Sequence, residues 1–190
     1  MGHSQVEKAQ NRQRILAEAA RQVRHAGLES ISVGALMKSV GLTHGGFYGH
    51  FESRSALLAE ALERALVEGE ARARAQAGEG PRDFSALARS YLSRTHRDER
   101  DKGCAMAALV SDVGRADEAS RRAMEDRVEA FIASTANALD GDEGRAMLAV
   151  SAMIGALALS RVLTDPARSD ALLRTVRAEL AGLDSVNDAA

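Results

Sequence analysis

Apolar residues along this chain recur at intervals of three and four, and no stretch sustains the alternation of a half-buried strand. Ile15, Ala19 and Val23 make one such face in residues 9–26, with Arg12, Arg14, Arg21 and Arg24 outside it and Gly27 at its end. Val33, Leu36, Met37 and Val40 make a second. Ser32 stands before this helix as an N-cap whose hydroxyl can take a first-turn amide, and Ile31 and Leu36 are placed to clamp its entry. Gly41 tolerates the left-handed backbone that ends such a helix, Leu42 fills the corner, and Thr43 caps a further helix from His44 to His50. Two helices joined by a short turn containing glycine predict a helix-turn-helix.

The second helix of that pair is poor by propensity, because Gly45, Gly46 and Gly49 each cost about 0.8 to 1 kcal/mol relative to alanine. Phe47 and Phe51, four residues apart, anchor it from below and leave Thr43, His44, Gly45, Tyr48 and His50 nearer the outside. The glycines would bring bare backbone close to a groove or a phosphate. Ser53 then caps a long helix over 54–76, striped by Leu57, Leu58, Ala61, Leu62, Ala65 and Leu66. Its free first-turn amides and Arg54 suit a phosphate, and its length carries it out of the head as a lever.

Gly78, Gly80 and Pro81 interrupt the pattern, and helices are predicted over 82–97, 104–113, 117–139, 143–163 and 166–183, the last with Pro166 in its first turn. Residues 98–102 read as a charged loop. Apolar positions go nearly round the 143–163 helix, so both of its sides need cover, while Leu172, Leu173, Val176 and Leu180 stripe the last helix. The chain is therefore expected to be all-α: a three-helix head in residues 1–53 and a helical bundle in 54–190, about nine helices together.

Composition narrows the function. The 190 residues are 45% hydrophobic and 27% charged with a net charge of -2, as expected of a folded chain with a sizeable core. The charge is unevenly placed: residues 1–58 hold seven Lys and Arg against four Glu, leaving +3 there and -5 in the remainder, which fits a polyanion at one end only. One cysteine excludes an intramolecular disulfide and a cysteine-rich zinc site, and the N-terminus lacks the apolar core of a signal peptide, so a cytoplasmic protein is expected. The run from Met147 to Ser160 is too short for a membrane span of about 20 residues. The five histidines show no paired metal spacing, and no catalytic constellation or cofactor motif stands out.

The run Val40-Gly41-Leu42-Thr43, followed by Phe47-Tyr48-Gly49-His50-Phe51-Glu52-Ser53-Arg54, resembles the DNA-binding domain of the TetR family of bacterial transcriptional regulators over about residues 10–66. Arg54 stands where lysine is commoner, and Gly49 where many members carry a larger side chain. The resemblance implies a repressor that binds a palindromic double-stranded operator and is released by a small molecule or an electrophile. It implies that Tyr48, His50 and Arg54 grip phosphates, while Thr43, His44 and the Gly45 backbone face base edges, with Ser32 at the edge of that surface. It also implies a homodimer formed by the last two helices, for which Met153, Leu157, Leu172, Leu173 and Val176 are the expected contacts. In the body, Tyr91, His96 and Cys104 are the polar groups of an otherwise apolar effector site. The segment from Gly103 to Leu109 is similar to one in family members related to electrophile-responsive repressors, and Cys104, at a helix start after Lys102, is the expected sensor if one exists. A helical small-molecule binding or redox protein without DNA recognition is the alternative.

Overall fold

A computed structural model describes residues 2–77 and 83–183. Within them the chain forms nine α-helices and two short 3-10 segments. Helix α1 spans Gly2–Ala26, α2 Val33–Ser39, α3 Arg54–Ala77, α4 Phe84–Tyr91, α5 Arg94–Asp98, α6 Ala105–Val113, α7 Glu118–Asn137, α8 Glu143–Val162 and α9 Pro166–Ala181. The predicted break at Gly78, Gly80 and Pro81 lies outside the described residues.

The head follows the apolar pattern closely. Ile15, Ala19, Val23, Leu36, Met37, Phe47 and Phe51 are buried together, and Ile31 closes the entry of α2 beside Leu36. Gly41 turns the chain with a φ of 75°, the left-handed region that costs glycine least, and Leu42 N then bonds back to Met37 O at 2.8 Å. Helix α1 starts earlier than its apolar face, and residues 5–10, Val6 among them, are exposed, so no periodicity marks that stretch.

Two local expectations are corrected. The segment from His44 to Gly49 winds as a 3-10 helix, closed by Gly46 N to Thr43 O at 3.1 Å and His50 N to Phe47 O at 2.8 Å, because three glycines in six residues do not sustain an α-helical ladder. Ser32 and Thr43 hold the N-cap positions with extended backbone, but neither side chain bonds the first turn; their carbonyls accept only the ordinary first helical bonds, from Leu36 N at 2.9 Å and Gly46 N at 3.1 Å. Ser53 caps α3 as expected, its Oγ accepting from Ala56 N at 3.0 Å.

In the body, the helix predicted over 82–97 is two. Asp83 caps α4 through Ser85 N at 2.9 Å, and Ser93 caps α5 through His96 N at 3.1 Å, so a second helix start interrupts the run at Leu92. Asp117, Asp142 and Asp165 cap α7, α8 and α9 in the same manner. Two buried clusters result. The first joins α1, α2 and α3 to Ala105, Leu109 and Val113 of α6 and Met124 of α7. The second joins Phe84, Tyr91, Val150, Met153, Leu157, Leu173 and Leu180 of α4, α8 and α9.

Helix α8 is 20 residues long with a mean hydropathy of 1.5, which meets the length and composition of a membrane span that its 147–160 portion alone falls short of. Its inner side builds the second cluster: Met153 and Leu157 are fully buried and Leu173 of α9 nearly so, within the chain itself. Those three are thus corrected as surface contacts. A helix apolar all round does not disclose which side its own bundle takes. The outer side holds Leu148, Leu159 and Val162, exposed by 59%, 58% and 74%, with Gly155 between them facing open space; Leu172 and Val176 of α9 are half-buried.

Candidate functional site

The 3-10 segment presents its polar side outward because Phe47 and Phe51 hold its other side in the core, stacked 5.6 Å apart. Thr43, His44, Gly45 and Tyr48 are exposed, as is Ser32 at the start of α2. His44 lies over the first turn of α2, where a Cβ on Gly34 would stand 3.7 Å from its ring. Tyr48 is 69% exposed, its ring meeting Phe47 edge-on at 5.3 Å, so a large aromatic is held at the surface by packing at its base alone. A Cβ on Gly45 or Gly49 would meet nothing within 4 Å, and neither has a left-handed φ. No demand inside the protein accounts for glycine at either position.

His50 differs from its neighbours. It is half-buried, its Nδ1 is enclosed without a hydrogen-bond partner, and burial, then the charges of Lys8 and Arg12, hold its pKa below the ordinary histidine value. It is neutral at neutral pH. Arg54 turns its guanidinium back toward the entry of α2, donating from Nε to Ile31 O at 3.0 Å and from Nη2 to Glu29 Oε2 at 3.1 Å. Arg12 pairs with Glu60 at 2.7 Å, donates to His50 O and lies 4.8 Å from the Phe51 ring centre; Arg14 donates to Val40 O at 2.7 Å. These arginines brace the surface from behind. Lys8 and Lys38 stand exposed on α1 and α2, where nothing in their local sequence pattern sets them apart from other surface charges.

A second group gathers in the body. Tyr91 at the end of α4, His96 in α5 and Cys104 at the N-cap of α6 lie together. Cys104 N donates to His96 Nε2 at 2.9 Å, so the ring's proton sits on Nδ1, which bonds Tyr91 O at 2.7 Å. Burial keeps His96 below the ordinary pKa. The Tyr91 ring lies edge-on to His96 at 4.7 Å and tilted against Phe131 at 5.7 Å. Arg161 of α8 completes the group, donating from Nη2 to His96 O at 3.0 Å and from Nε to Arg97 O at 3.2 Å. Gly103 makes room for it: a Cβ there would stand 2.9 Å from Arg161 Nη2 and 3.3 Å from the His96 ring. Arg161 lies far along the chain from the other three, and no local pattern marks it. An apolar cleft of about 230 Å³ runs elsewhere, between Val110 and Val113 of α6 and Met124 and Val128 of α7.

Residues 99–104 connect this group to the head. Arg24 of α1, 4% exposed, donates from Nε to Asp101 O at 2.7 Å and pairs with Glu68 of α3 at 3.0 Å. Arg72 of α3 donates to Lys102 O at 2.9 Å. At the far end of α6, Asp112 Oδ2 accepts from Leu28 N at 3.1 Å, in the turn that leads into α2. Helix α6 is therefore tied to the head at both ends.

Residues 15–61 match the family described as bacterial regulatory proteins, tetR family. No curated protein matches the chain. Solved structures share the fold over nearly the whole chain. NemR of E. coli in its reduced form is 20% identical with a TM-score of 0.74, covering 91% of this chain and 96% of that one. SCO4454, a TetR-family transcriptional regulator from Streptomyces coelicolor, is 22% identical with a TM-score of 0.72, covering 93% and 97%. A TetR-family regulator from Cytophaga hutchinsonii is 19% identical with a TM-score of 0.76, covering 93% and 96%.

Proposed function

The chain carries the N-terminal DNA-binding domain of the tetR family on the fold of TetR-family transcriptional regulators, and from that premise we propose that it is a homodimeric repressor released from a palindromic operator by an effector bound in its body. The observation that supports it best is the outward side of the 3-10 segment. Thr43, His44, Gly45 and Tyr48 are exposed together, and Gly45 and Gly49 give up helix stability without any return from intramolecular packing.

In this reading His44, Thr43 and the bare Gly45 backbone approach base edges, and Tyr48 and the exposed Lys38 approach phosphates beside them. Arg54 contributes from the first turn of α3, where its charge adds to the positive end of a long helix while its Nε holds the entry of α2 in place. Two such heads related by a two-fold axis require inverted half-sites, about one helical turn or a simple multiple apart. The second chain covers the exposed stripe of α8, Leu148, Gly155, Leu159 and Val162, which solvent otherwise meets. The effector site is the group of Tyr91, His96 and Cys104, because residues 99–104 lead directly from it to Arg24 and Arg72.

A gel-shift with the DNA flanking the protein's own gene tests the reading. Binding should weaken with salt, His44→Ala should change the preferred base, and Arg54→Ala should weaken binding on all sequences alike. If the purified protein binds that DNA no better than unrelated duplex, the helical small-molecule or redox protein is the better account.

A further inference from the structure

The cleft of about 230 Å³ between α6 and α7 has a floor and walls of different kinds. Val113 and Met124 are buried in the first core cluster, so the floor is fixed by the fold, whereas Val110, 44% exposed, and half-buried Val128 are apolar walls that solvent meets. A cavity of about 150 Å³ already holds benzene, and drug-sized ligands take upward of about 300 Å³, so this space suits one branched or aromatic side chain. Two charged residues of α7, Arg121 and Glu125, share the lining. Both are exposed, and neither side chain makes an ion pair or a hydrogen bond among the described residues. Their neighbours behave differently: Glu118 and Arg122, four apart with the acid first, pair with each other. Arg121 and Glu125 stand in the reverse order, which favours pairing less, and are left apart. A cation and a carboxylate on adjacent turns, with Cβ atoms about 5 to 6 Å from each other, thus flank one apolar cleft.

From this juxtaposition we propose that the cleft binds a free apolar α-amino acid of the size of leucine or phenylalanine, at a site apart from the group of Tyr91, His96 and Cys104 and independent of the DNA-binding reading. The α-carboxylate accepts from the Arg121 guanidinium, the α-ammonium donates to the Glu125 carboxylate, and the side chain lies over Val113 and Met124. Both charges of the zwitterion sit on one carbon, and the two side chains reach it from successive turns of one helix. A fatty acid would satisfy Arg121 and be repelled by Glu125, and an apolar amine would meet the opposite fault. Glycine would carry the charges and leave the apolar walls wet.

The test is melting and calorimetry of the full-length protein with L-leucine, L-phenylalanine, glycine, 4-methylpentanoate and 3-methylbutylamine; the last two are leucine without its ammonium and without its carboxylate. With a Kd of about 1 mM, leucine at about 10 mM should raise the melting temperature by roughly 3 to 6 °C. Glycine, the acid and the amine should each bind at least about fivefold more weakly than leucine, the weight of one exposed ion pair or of the side chain's partial burial. Arg121→Gln and Glu125→Gln should melt as the parent does without ligand, since neither side chain bonds the fold, and each should lose roughly fivefold in leucine affinity, while Glu125→Gln should bind 4-methylpentanoate better than the parent. No stabilisation by leucine or phenylalanine, equal binding of leucine and 4-methylpentanoate, or an unchanged leucine affinity in either variant would overturn the proposal. Binding is read on the free protein: leucine bound as expected by a chain that recognises no specific DNA would uphold this site and remove the regulator reading alone.

Discussion

Gly45→Ala should make this protein more stable and worse at binding DNA. The reasoning starts from the backbone: Gly45 lies in the 3-10 segment with no left-handed φ, and a methyl there would meet no atom within 4 Å. Alanine is then unstrained in the folded state and restricts the unfolded chain, a gain of about 0.4 to 1 kcal/mol. For a chain of this size that is roughly 1 to 4 °C in melting temperature. In the complex the same methyl projects where backbone approaches a groove, and overpacking of this kind costs about 1 to 3 kcal/mol. Operator affinity should fall roughly 5- to 150-fold. Circular dichroism melts and anisotropy of a labelled duplex read the two effects separately. A variant that melts higher and binds the operator as tightly as the parent would remove the close-approach account of this glycine. One that melts lower would show that the space beside it is not open in solution.

Three further outcomes follow from buried or covered groups. Arg24→Leu frees Asp101 O and leaves Glu68 to Arg64 and Arg72, and should cost about 1 to 2 kcal/mol, a fall of roughly 2 to 8 °C in melting temperature with operator binding impaired in proportion to the folded fraction lost. Leu159→Asp and Leu157→Asp should part company: the first places a charge on the exposed stripe and should give a folded monomer by sedimentation, whereas the second buries one in the core and should not fold. A monomeric Leu157→Asp with native melting would contradict the inward placement. His50 and His96 both have pKa values lowered chiefly by burial, so the folded chain binds fewer protons than the unfolded one below about pH 6.5; the associated stability is complete above that pH and is lost as pH falls through it. Melting temperature should therefore be level from pH 8 to 7 and fall between about pH 6.5 and 5, and His96→Gln should shallow that fall.

The elements legible in the sequence are those set by neighbours in the chain. Phe47 and Phe51 declare an anchored turn because four residues separate them, and Gly41 declares a helix end because few other residues accept a φ of 75°. The 3-10 winding is equally local, since three glycines in six residues weaken an α-helical ladder. What lay beyond reach was decided across the fold. Arg12 and Arg14 read as the outer side of a helix and Arg54 as a cation for phosphate, and each also bonds a carbonyl 38, 26 or 23 positions away. A long flexible side chain leaves no periodic trace of its partner. Helix α8 is apolar on every side, so Met153 and Leu157 were indistinguishable from Leu148 and Leu159 until the bundle chose a face. Tyr91, His96 and Cys104 are near enough in the chain to be read as a group. Arg161 joins them only because α8 crosses behind Gly103.

The head and the body share one of the two cores: Leu109 and Val113 of α6 and Met124 of α7 are buried against Ile15, Val23 and Leu62. The residues that would shape the DNA-binding surface thus owe part of their stability to a helix that begins at Cys104. Loosening α6 would withdraw apolar cover from α1 and α3 at once, and the small 3-10 segment with its three glycines is the region expected to open first. In the proposed repressor, release from DNA would then need no rotation of an intact head. Fraying of a marginal surface, reversible within the same chain, is enough, and amide hydrogen exchange at His44 through Gly49 would register it before any change in overall shape.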